Sequence, residues 1–470
     1  MAQTKNLFST KLHVANVGLE LFSHTLAAQQ VSAIHVAWRP PAGGDKHTAM
    51  LLDRYEQKID KANQEVVQIF ESAQPILTGV KQAHTVLSGL TPNTILHSGP
   101  PIDWDAMCGP MQGAVLGAIR FENLAENDDQ AVEFIRSGKI ILSPNHHAGS
   151  VGPMTGIITY HMPVFEVINE TYGNFGYCTI NEGLGKVMRF GANDREVLDR
   201  LSWFRDSLGP ALHQALQLSG GINLKVIMAQ ALAMGDEMHQ RNIAASSLFA
   251  RKICPYIAAL PIDGEEKAKI TRFICDNDQF FLNLAMAAGK AITDPAKGVR
   301  YSSIVTVMSR NGTDFGVKVA GTGEDWFVAP ANMPEGLYFP GFGPEDANPD
   351  MGDSAVVEVI GLGGITMAAS PAVVRFVGAG SQDDAIRYTR EMGEICFSKS
   401  THFLIANMNF EGAPLGLDIR RIVETGLEPV INTGMAHRKP GVGQIGAGVV
   451  KAPLGCFEKA LAGFVQTLAE

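Results

Sequence analysis

Lys139-Ile-Ile-Leu-Ser-Pro-Asn-His-His-Ala-Gly-Ser-Val-Gly-Pro-Met-Thr-Gly156 passes from a short apolar run straight into a loop of glycine, hydroxyl, amide and imidazole groups. The apolar run, residues 139–143, reads as a strand. Pro144 keeps Ser143 out of helical backbone angles, so the chain cannot roll directly into a helix. Gly149, Gly152 and Gly156 allow backbone N–H groups to come close to a ligand. A strand feeding such a loop points to an α/β fold, because open α/β sheets hold their ligands at the carboxyl ends of strands. His146 is therefore a candidate catalytic residue and Asn145 a candidate substrate ligand. The alternative is a surface turn with a structural histidine pair.

Toward the N-terminus, residues 12–17 are β-rich, residues 22–30 helix-like and residues 33–37 β-like again. A turn over residues 40–45 precedes a long helix in which Leu52, Tyr55, Ile59, Ala62, Val66 and Phe70 step by three or four residues. Pro75 ends it, and residues 76–80 read as a third strand. These form a small Rossmann-like βαβαβ unit, without the G-x-G-x-x-G of a dinucleotide site. Residues 95–190 mix short strands with glycine-punctuated turns, and residues 194–296 are helical throughout. From Tyr301 onward β-rich segments return, at residues 317–319, 355–360 and 403–405. The expected fold is mixed α/β (α+β), with an inserted all-helical domain. Its expected parts are a Rossmann-like domain over residues 1–92, an α/β domain with His/Gly loops over 93–192, a helical domain over 193–298 and a C-terminal α/β domain over 299–470. A length of 470 residues agrees with roughly two to four domains of about 150 residues each.

Hydrophobic residues make up 46% and charged residues 18% of the chain, which places it among packed globular proteins. A net charge of −10 without any Lys/Arg run argues against nucleic acid as a partner. The six cysteines are scattered with no C-x-x-C pair, the pattern of reduced thiols in a cytoplasmic protein. The first residues lack the apolar stretch of a signal peptide. The most apolar long segment, residues 354–374, is broken by Glu358, glycines and Pro371, so no membrane span is expected.

Several further motifs carry chemistry. Leu96-His-Ser-Gly-Pro-Pro-Ile102 sets His97 at the end of an apolar pair before a turn, as either a catalytic or a structural group. Gly109, Gly113 and Gly117 would give a helix a smooth face for close packing. Glu182, Arg189 and Asn193 could frame a polar substrate, since a guanidinium grips carboxylate or phosphate at two points; a surface ion pair is the alternative. Gly235-Asp-Glu-Met-His-Gln-Arg-Asn242 is the densest polar cluster. If helical, it puts Asp236 and His239 on one face and pairs Glu237 with Arg241. Asp236 would then orient His239 for acid–base work, with Arg241 and Asn242 as ligands. A lone Asp-x-x-His falls short of a metal site's ligand set, so no metal is assigned. Arg310 and Asn311 head a turn, Asp353 precedes Glu358 in a glycine-rich stretch, and His437 precedes Gly441-Val-Gly-Gln-Ile-Gly-Ala-Gly448. Arg310, Asn311, Asp353 and His437 are candidates for binding substrate or phosphate. The last string matches G-x-G-x-x-G but lies in no βαβ unit, which leaves at most an anion-cradling loop.

Leu96-His-Ser-Gly-Pro-Pro-Ile102, Ser143-Pro-Asn-His146 with Val151-Gly-Pro-Met154, Met188-Arg-Phe-Gly-Ala-Asn193 and the cluster ending at Asn242 occur in one order along the chain. Arg310-Asn-Gly312, Gly352-Asp-Ser-Ala355 and Val442-Gly-Gln-Ile-Gly-Ala-Gly448 follow. In this the sequence resembles the YlbE/YahG family over nearly its whole length, the YahG branch more than YlbE. Members are typically encoded beside FdrA-like proteins, which are similar to succinyl-CoA synthetases, and near carbamate kinases. YlbE is assigned as a subunit of oxamate carbamoyltransferase in anaerobic allantoin breakdown. The resemblance thus implies a subunit of an FdrA-type carbamoyltransferase, in a hetero- or homo-oligomer. It implies a small carbamoyl substrate, with phosphate or carbamoyl phosphate as co-substrate and no further cofactor.

The resemblance brings no catalytic residues with it. The Ser-Thr-Arg-Thr and His-Pro-x-Gln strings of aspartate and ornithine carbamoyltransferases do not occur, so carbamoyl transfer would rest on other residues. His146 or His97 would serve the carbonyl oxygen or the proton, Arg189 and Arg310 would hold phosphate or a carboxylate, and Asp236 with His239 would offer a second base. Two other classes stay open. One is a non-catalytic subunit that shapes an acceptor pocket. The other is a stand-alone amidohydrolase or lyase, against which stands the absence of G-x-S-x-G, His-x-His and H-E-x-x-H.

Overall fold

The computed structural model describes residues 14–469 apart from residues 19, 37, 39 and 379. The outer ends of the first two expected strands, residues 12–13 and 37, lie outside the described residues. Within them, Val14–Val17 and Ala33–Val36 pair in parallel and the helix Glu20–Ala28 connects them, which is the expected βαβ turn. The third strand corrects the βαβαβ expectation. Pro75–Gln82 leaves this unit and pairs antiparallel with Pro163–Asn169 and with Ile222–Asn223. Its Leu77 and Val80 are buried, and the helices Gly209–Ser219 and Phe280–Thr293 pack against its sheet. An apolar strand of this kind needs a layered interior that one short βαβ unit cannot provide.

That sheet has five strands, in the order Ser150–Val151, Phe175–Thr179, Pro163–Asn169, Pro75–Gln82 and Ile222–Asn223. The strand of the opening sequence, Ile141–Pro144, pairs in parallel with Thr94–His97, setting Leu96 opposite Ser143 and His97 opposite Pro144. The two histidine motifs are therefore neighbours at the same strand ends. Gly109–Phe121 is the helix with the smooth face: a Cβ on Gly113 would meet the Gly191 carbonyl at 2.5 Å, and one on Gly117 would meet Asn193 Cβ at 2.8 Å.

Residues 194–296 supply helices as expected, broken by the short strand Ile222–Asn223 and by the loop that carries Gly235–Asn242. Phe280–Thr293 is buried along its entire length. The long helix Lys46–Ser72 starts at an Asp45 cap, whose side chain accepts from His47 N, and buries Ile59, Val66 and Phe70. Its last carbonyls accept from the Lys225 ammonium, a cation at the negative helix end. Midway along it, the buried Asn63 amide bonds Ser302, Ser303 and Asp418.

The C-terminal part contains a four-stranded antiparallel sheet, Phe327–Pro330, Asp314–Val319, Val305–Asn311 and Met351–Gly352. A three-stranded sheet follows, Glu335–Tyr338, Gln444–Lys451 and Val430–Ala436, together with the hairpin Cys396–Ile405 and Glu411–Leu417. Residues 355–360, expected as strand, instead contain the short helix Val356–Val359. Val356 packs on Gly289 of the buried helix, and this contact overrides the β preference of three valines. One continuous apolar core runs from Ile59 to Leu468.

Candidate functional site

Asp353 follows the strand edge Met351–Gly352 and is fully buried. Its Oδ1 accepts from Gly99 N at 3.0 Å and from the Ser309 hydroxyl, and its Oδ2 accepts from Asn145 Nδ2 and Gly152 N, both at 2.9 Å. Burial pushes its pKa up and these four donors pull it back. One carboxylate thus ties the loops after His97, Pro144 and Gly352 to the strand Val305–Asn311. Asn145, Asp353 and the loop that follows His97 meet here.

His146 lies at this hub, with Nε2 3.6 Å from Asp353 Oδ1, beyond hydrogen-bond length. Lys290 Nζ stands 3.2 Å from His146 Nδ1 and pairs with Asp294 at 2.7 Å. Burial first, then the charges of Lys290 and Lys318, hold the His146 pKa well below its ordinary value. His97 donates from Nδ1 to the Ser98 carbonyl at 2.8 Å, and burial draws its pKa down to about 4. Both imidazoles are neutral at pH 7 and both keep an unpartnered Nε2. Neither lines the small cavity beside this hub.

Beside the hub is a small cavity of about 30 Å³. Five motifs reach it: Pro153 and Met154, Arg189 and Phe190, His239 and Gln240, Ser354, and Gln444. Gln240 and Gln444, with Gln279, also line a larger outer cleft of about 580 Å³ that contains Arg241 and Leu184. The three glutamines are therefore the boundary between mouth and interior.

Gly235–Asn242 is a loop, and the helical expectation for it is corrected. The Glu237 carboxylate accepts from the backbone N–H groups of His239, Gln240 and Arg241, wrapping a turn around itself. Asp236 accepts from Ala245 N and lies 3.0 Å from Arg241 Nε, so it does not orient His239. Glu358 does: its Oε1 and Oε2 stand 2.7 and 2.9 Å from His239 Nδ1. Glu358 is held in turn by Gly364 N and Asn432 N. Burial pushes the Glu237 pKa up to about 7, against the pull of His239, the Arg241 backbone and Asn432 and with the push of Glu358.

Arg189 is 8% exposed and sits where the turn Met188–Phe190 is clasped by Glu182, which accepts from Met188 N and Arg189 N. Its Nη2 donates to the Gly183 carbonyl at 2.7 Å, Nε has no partner, and burial draws the pKa down to about 10.

The remaining candidates have protein partners elsewhere. Arg310 is fully buried, pairs with Asp350 at 2.6 Å and bonds the Gly352 carbonyl and Ser354 Oγ, so it braces the Asp353 turn. Asn311 accepts from Thr313 N and Asp314 N within a turn. Asn193 donates to the Gly113 carbonyl at the glycine-faced helix. Asn242 donates to the His239 carbonyl and Gln279. His437 accepts from Lys439 N. Sequence reasoning left out Lys290, Gln279, Ser354 and Gln444, and gave Glu358 no partner. Lys290 carried a signal, as the single charged residue in the apolar helix Phe280–Thr293. Among the described residues, no group of three or more His, Cys, Asp or Glu side chains is arranged to hold a metal, and no helix is long and apolar enough to cross a membrane.

The family model of oxamate carbamoyltransferase subunit AllG matches residues 140–354, a window that opens on the quoted strand and closes at Ser354. The chain is 49% identical over 412 residues to oxamate carbamoyltransferase subunit AllG of Escherichia coli (strain K12), covering 87% of this chain and 98% of that protein. It is 42% identical over 468 residues to the uncharacterized protein YahG of the same organism, covering 98% of this chain and 99% of that one. Identity is thus higher with AllG, and the alignment is longer with YahG. The fold matches the crystal structure of a conserved protein of unknown function from Enterococcus faecalis V583, with a TM-score of 0.86 and 44% identity over 87% of this chain and 98% of that one.

Proposed function

The chain belongs to the family of AllG and YahG, and from that premise we propose that it is the acceptor-binding, proton-handling subunit of a cytoplasmic carbamoyltransferase complex. The observation that carries this reading is the meeting of five separated motifs at one cavity whose ionisable lining groups are Arg189 and His239. Its partner is an FdrA-like protein, and its substrates are carbamoyl phosphate and a primary amide such as oxamate. In the reaction, the amide nitrogen attacks the carbamoyl carbon, and the new C–N bond forms as the C–O bond to the phosphate breaks. Phosphate leaves with that electron pair, and the nitrogen gives up one proton. His239 takes this proton at Nε2, while Glu358 fixes the ring through Nδ1 and steadies the imidazolium. Ser354 Oγ accepts from Arg310, so its own O–H is available to the carbonyl oxygen as that atom gains charge. A preorganised donor in that place contributes about 3–4 kcal/mol.

Co-purification with the FdrA-like partner should give a complex that carbamoylates oxamate from carbamoyl phosphate and runs in reverse only with phosphate present. In that complex, His239→Gln should lower kcat by roughly 100- to 10,000-fold with assembly intact. An unchanged rate would remove His239 from the reaction. Disassembly of the His239 and Arg189 variants would favour a subunit that only shapes the pocket.

A further inference from the structure

The N-terminal βαβ unit is half of a layered structure. Val14–Val17 and Ala33–Val36 form a two-stranded parallel sheet with no third strand among the described residues. The helix Glu20–Ala28 packs on both strands and can cover one face. The other face carries Ala15 beside Ile34 and Val17 beside Val36. All four are apolar and exposed, Ile34 at 73% and Val17 at 59%. Asn16 and His35, which alternate with them, bond each other at 2.9 Å on the opposite face. Parallel strands are stable when both faces are buried, and a lone two-stranded sheet is marginal in water. Among the described residues the chain does not supply the missing layer. No apolar side chain of the unit joins the core that runs from Ile59 to Leu468 or its satellite clusters.

The uncovered surface wraps round the unit. Leu21 and Phe22 are exposed on the helix, and the exposed Trp38 follows the second strand. Across residues 14–38 Glu20 is the single charged residue, in a chain that is 18% charged overall. An apolar, charge-poor patch of this extent marks a contact with another protein. Neither strand has a second neighbour in the sheet, so each offers an edge that a further strand can take up. A second copy of this chain fits poorly. Four side chains face to face fall far short of the roughly 20–30 residues a side that hold a stable interface. Two chains of net charge −10 also repel, with no Lys or Arg in residues 14–38 to offset it. The bare face, the strand edges and the outer side of the helix point in different directions. One occupant meets them all by taking the unit into a sheet of its own.

We propose that the N-terminal βαβ unit is the docking element for a partner subunit that has an open parallel α/β sheet. A partner strand extends the unit's sheet at one of its free edges, and a partner helix covers Ala15, Val17, Ile34 and Val36. This surface presupposes the reading of the chain as one subunit of a complex, and it lies outside the cavity lined by Arg189 and His239.

The test is titration calorimetry between the purified full-length chain and the FdrA-like partner, with the mass and Tm of the chain alone measured beside it. Ile34→Lys and Val17→Lys should each weaken the complex by roughly 30-fold or more, the scale of a charge placed at a buried contact. Both should leave the Tm of the chain alone unchanged, because the face is bare there. Leu218→Lys, at an exposed apolar residue outside the unit, should bind as wild type does. Binding that ignores both substitutions in the unit, or that falls equally with Leu218→Lys, overturns the proposal. So does a wild-type chain that is a dimer alone and a monomer with Ile34→Lys, since a second copy is then the occupant. A lowered Tm overturns it too, since the chain then covers the face itself. The two readings fail separately. A complex that forms through this face and transfers no carbamoyl group sinks the carbamoyltransferase reading alone. An active complex indifferent to both lysines sinks this one alone, and a partner that never binds the wild-type chain sinks both.

Discussion

Glu358→Gln keeps the shape of the group behind His239 and removes its charge. A neutral amide still orients Nδ1 but no longer stabilises an imidazolium at the ring. In the assembled complex this variant is expected to lower kcat by roughly 10- to 100-fold with little change in KM, read from initial rates at several pH values. Stability carries a second signature. Glu237 is raised from its ordinary 4.5 to about 7 in the folded protein, so its contribution is complete below pH 4.5 and is lost as pH rises through about 7. His97 has the opposite sign. Its pKa falls from 6.5 to about 4, so its contribution is present above pH 6.5 and is lost as pH falls through about 4. Thermal melts across pH 4–8 should therefore show Glu237→Gln losing less stability than wild type between pH 4.5 and 7, and His97→Gln losing less between pH 6.5 and 4. Parallel pH profiles for variant and wild type would remove the assignment in each case.

Elements respond through packing. The helix Gly109–Phe121 meets the turn Met188–Phe190 across Gly113, where a methyl would stand 2.5 Å from the Gly191 carbonyl and 2.6 Å from Pro440. Gly113→Ala is expected to lower stability by about 1–3 kcal/mol, because close-packed backbone cannot yield that much. Gly264, at the start of the helix Gly264–Cys275, has open space where its Cβ would be. Gly264→Ala should therefore be neutral or stabilise by about 0.4–1 kcal/mol, with both glycine variants compared with wild type by urea titration. The elements also show what the amino-acid pattern carries. The glycine-faced helix, the long amphipathic helix and the strand before Pro144 were legible because period and punctuation are local properties. The strand Pro75–Gln82 was legible as a strand but not by its partners, since pairing depends on segments far along the chain. Val356–Val359 was misread because Val356 answers to Gly289, a neighbour only in space. Gly235–Asn242 looked helical by spacing, yet a buried Glu237 bent it round its own backbone N–H groups.

At the scale of the molecule, the site is a meeting of loops held by one acid. Asp353 fixes Gly99, Asn145, Gly152 and Ser309 at once, so Asp353→Asn places a donor where only acceptors serve. The expected cost is about 2–4 kcal/mol, with faster amide exchange at Gly99 and Gly152 together. Exchange that rises at only one of the two amides would mean the loops are held independently. The motifs themselves could be read from sequence, but their division between a hub (Asn145, His146, His97) and a cavity (Arg189, His239) could not. That division depends on which side of the Asp353 turn each loop presents, and Arg310 against Asp350 sets that turn from inside.

The buried amide of Asn63 has a consequence for how the chain is made. Its partners Ser302, Ser303 and Asp418 are encoded far downstream, the last of them 355 residues later. At a synthesis rate of roughly 5–20 residues per second, about 20–70 s separate the emergence of Asn63 from that of Asp418 at the ribosome. Through that interval the nascent helix, which buries Ile59, Val66 and Phe70, has only part of its final packing, because the hairpin Cys396–Ile405 and Glu411–Leu417 and the C-terminal helix that also pack on it come late. A ribosome that stops before Gln444 releases a polypeptide with an unfinished interior and an incomplete cavity. Such a product should be a client for holding chaperones and proteases rather than a partly active subunit.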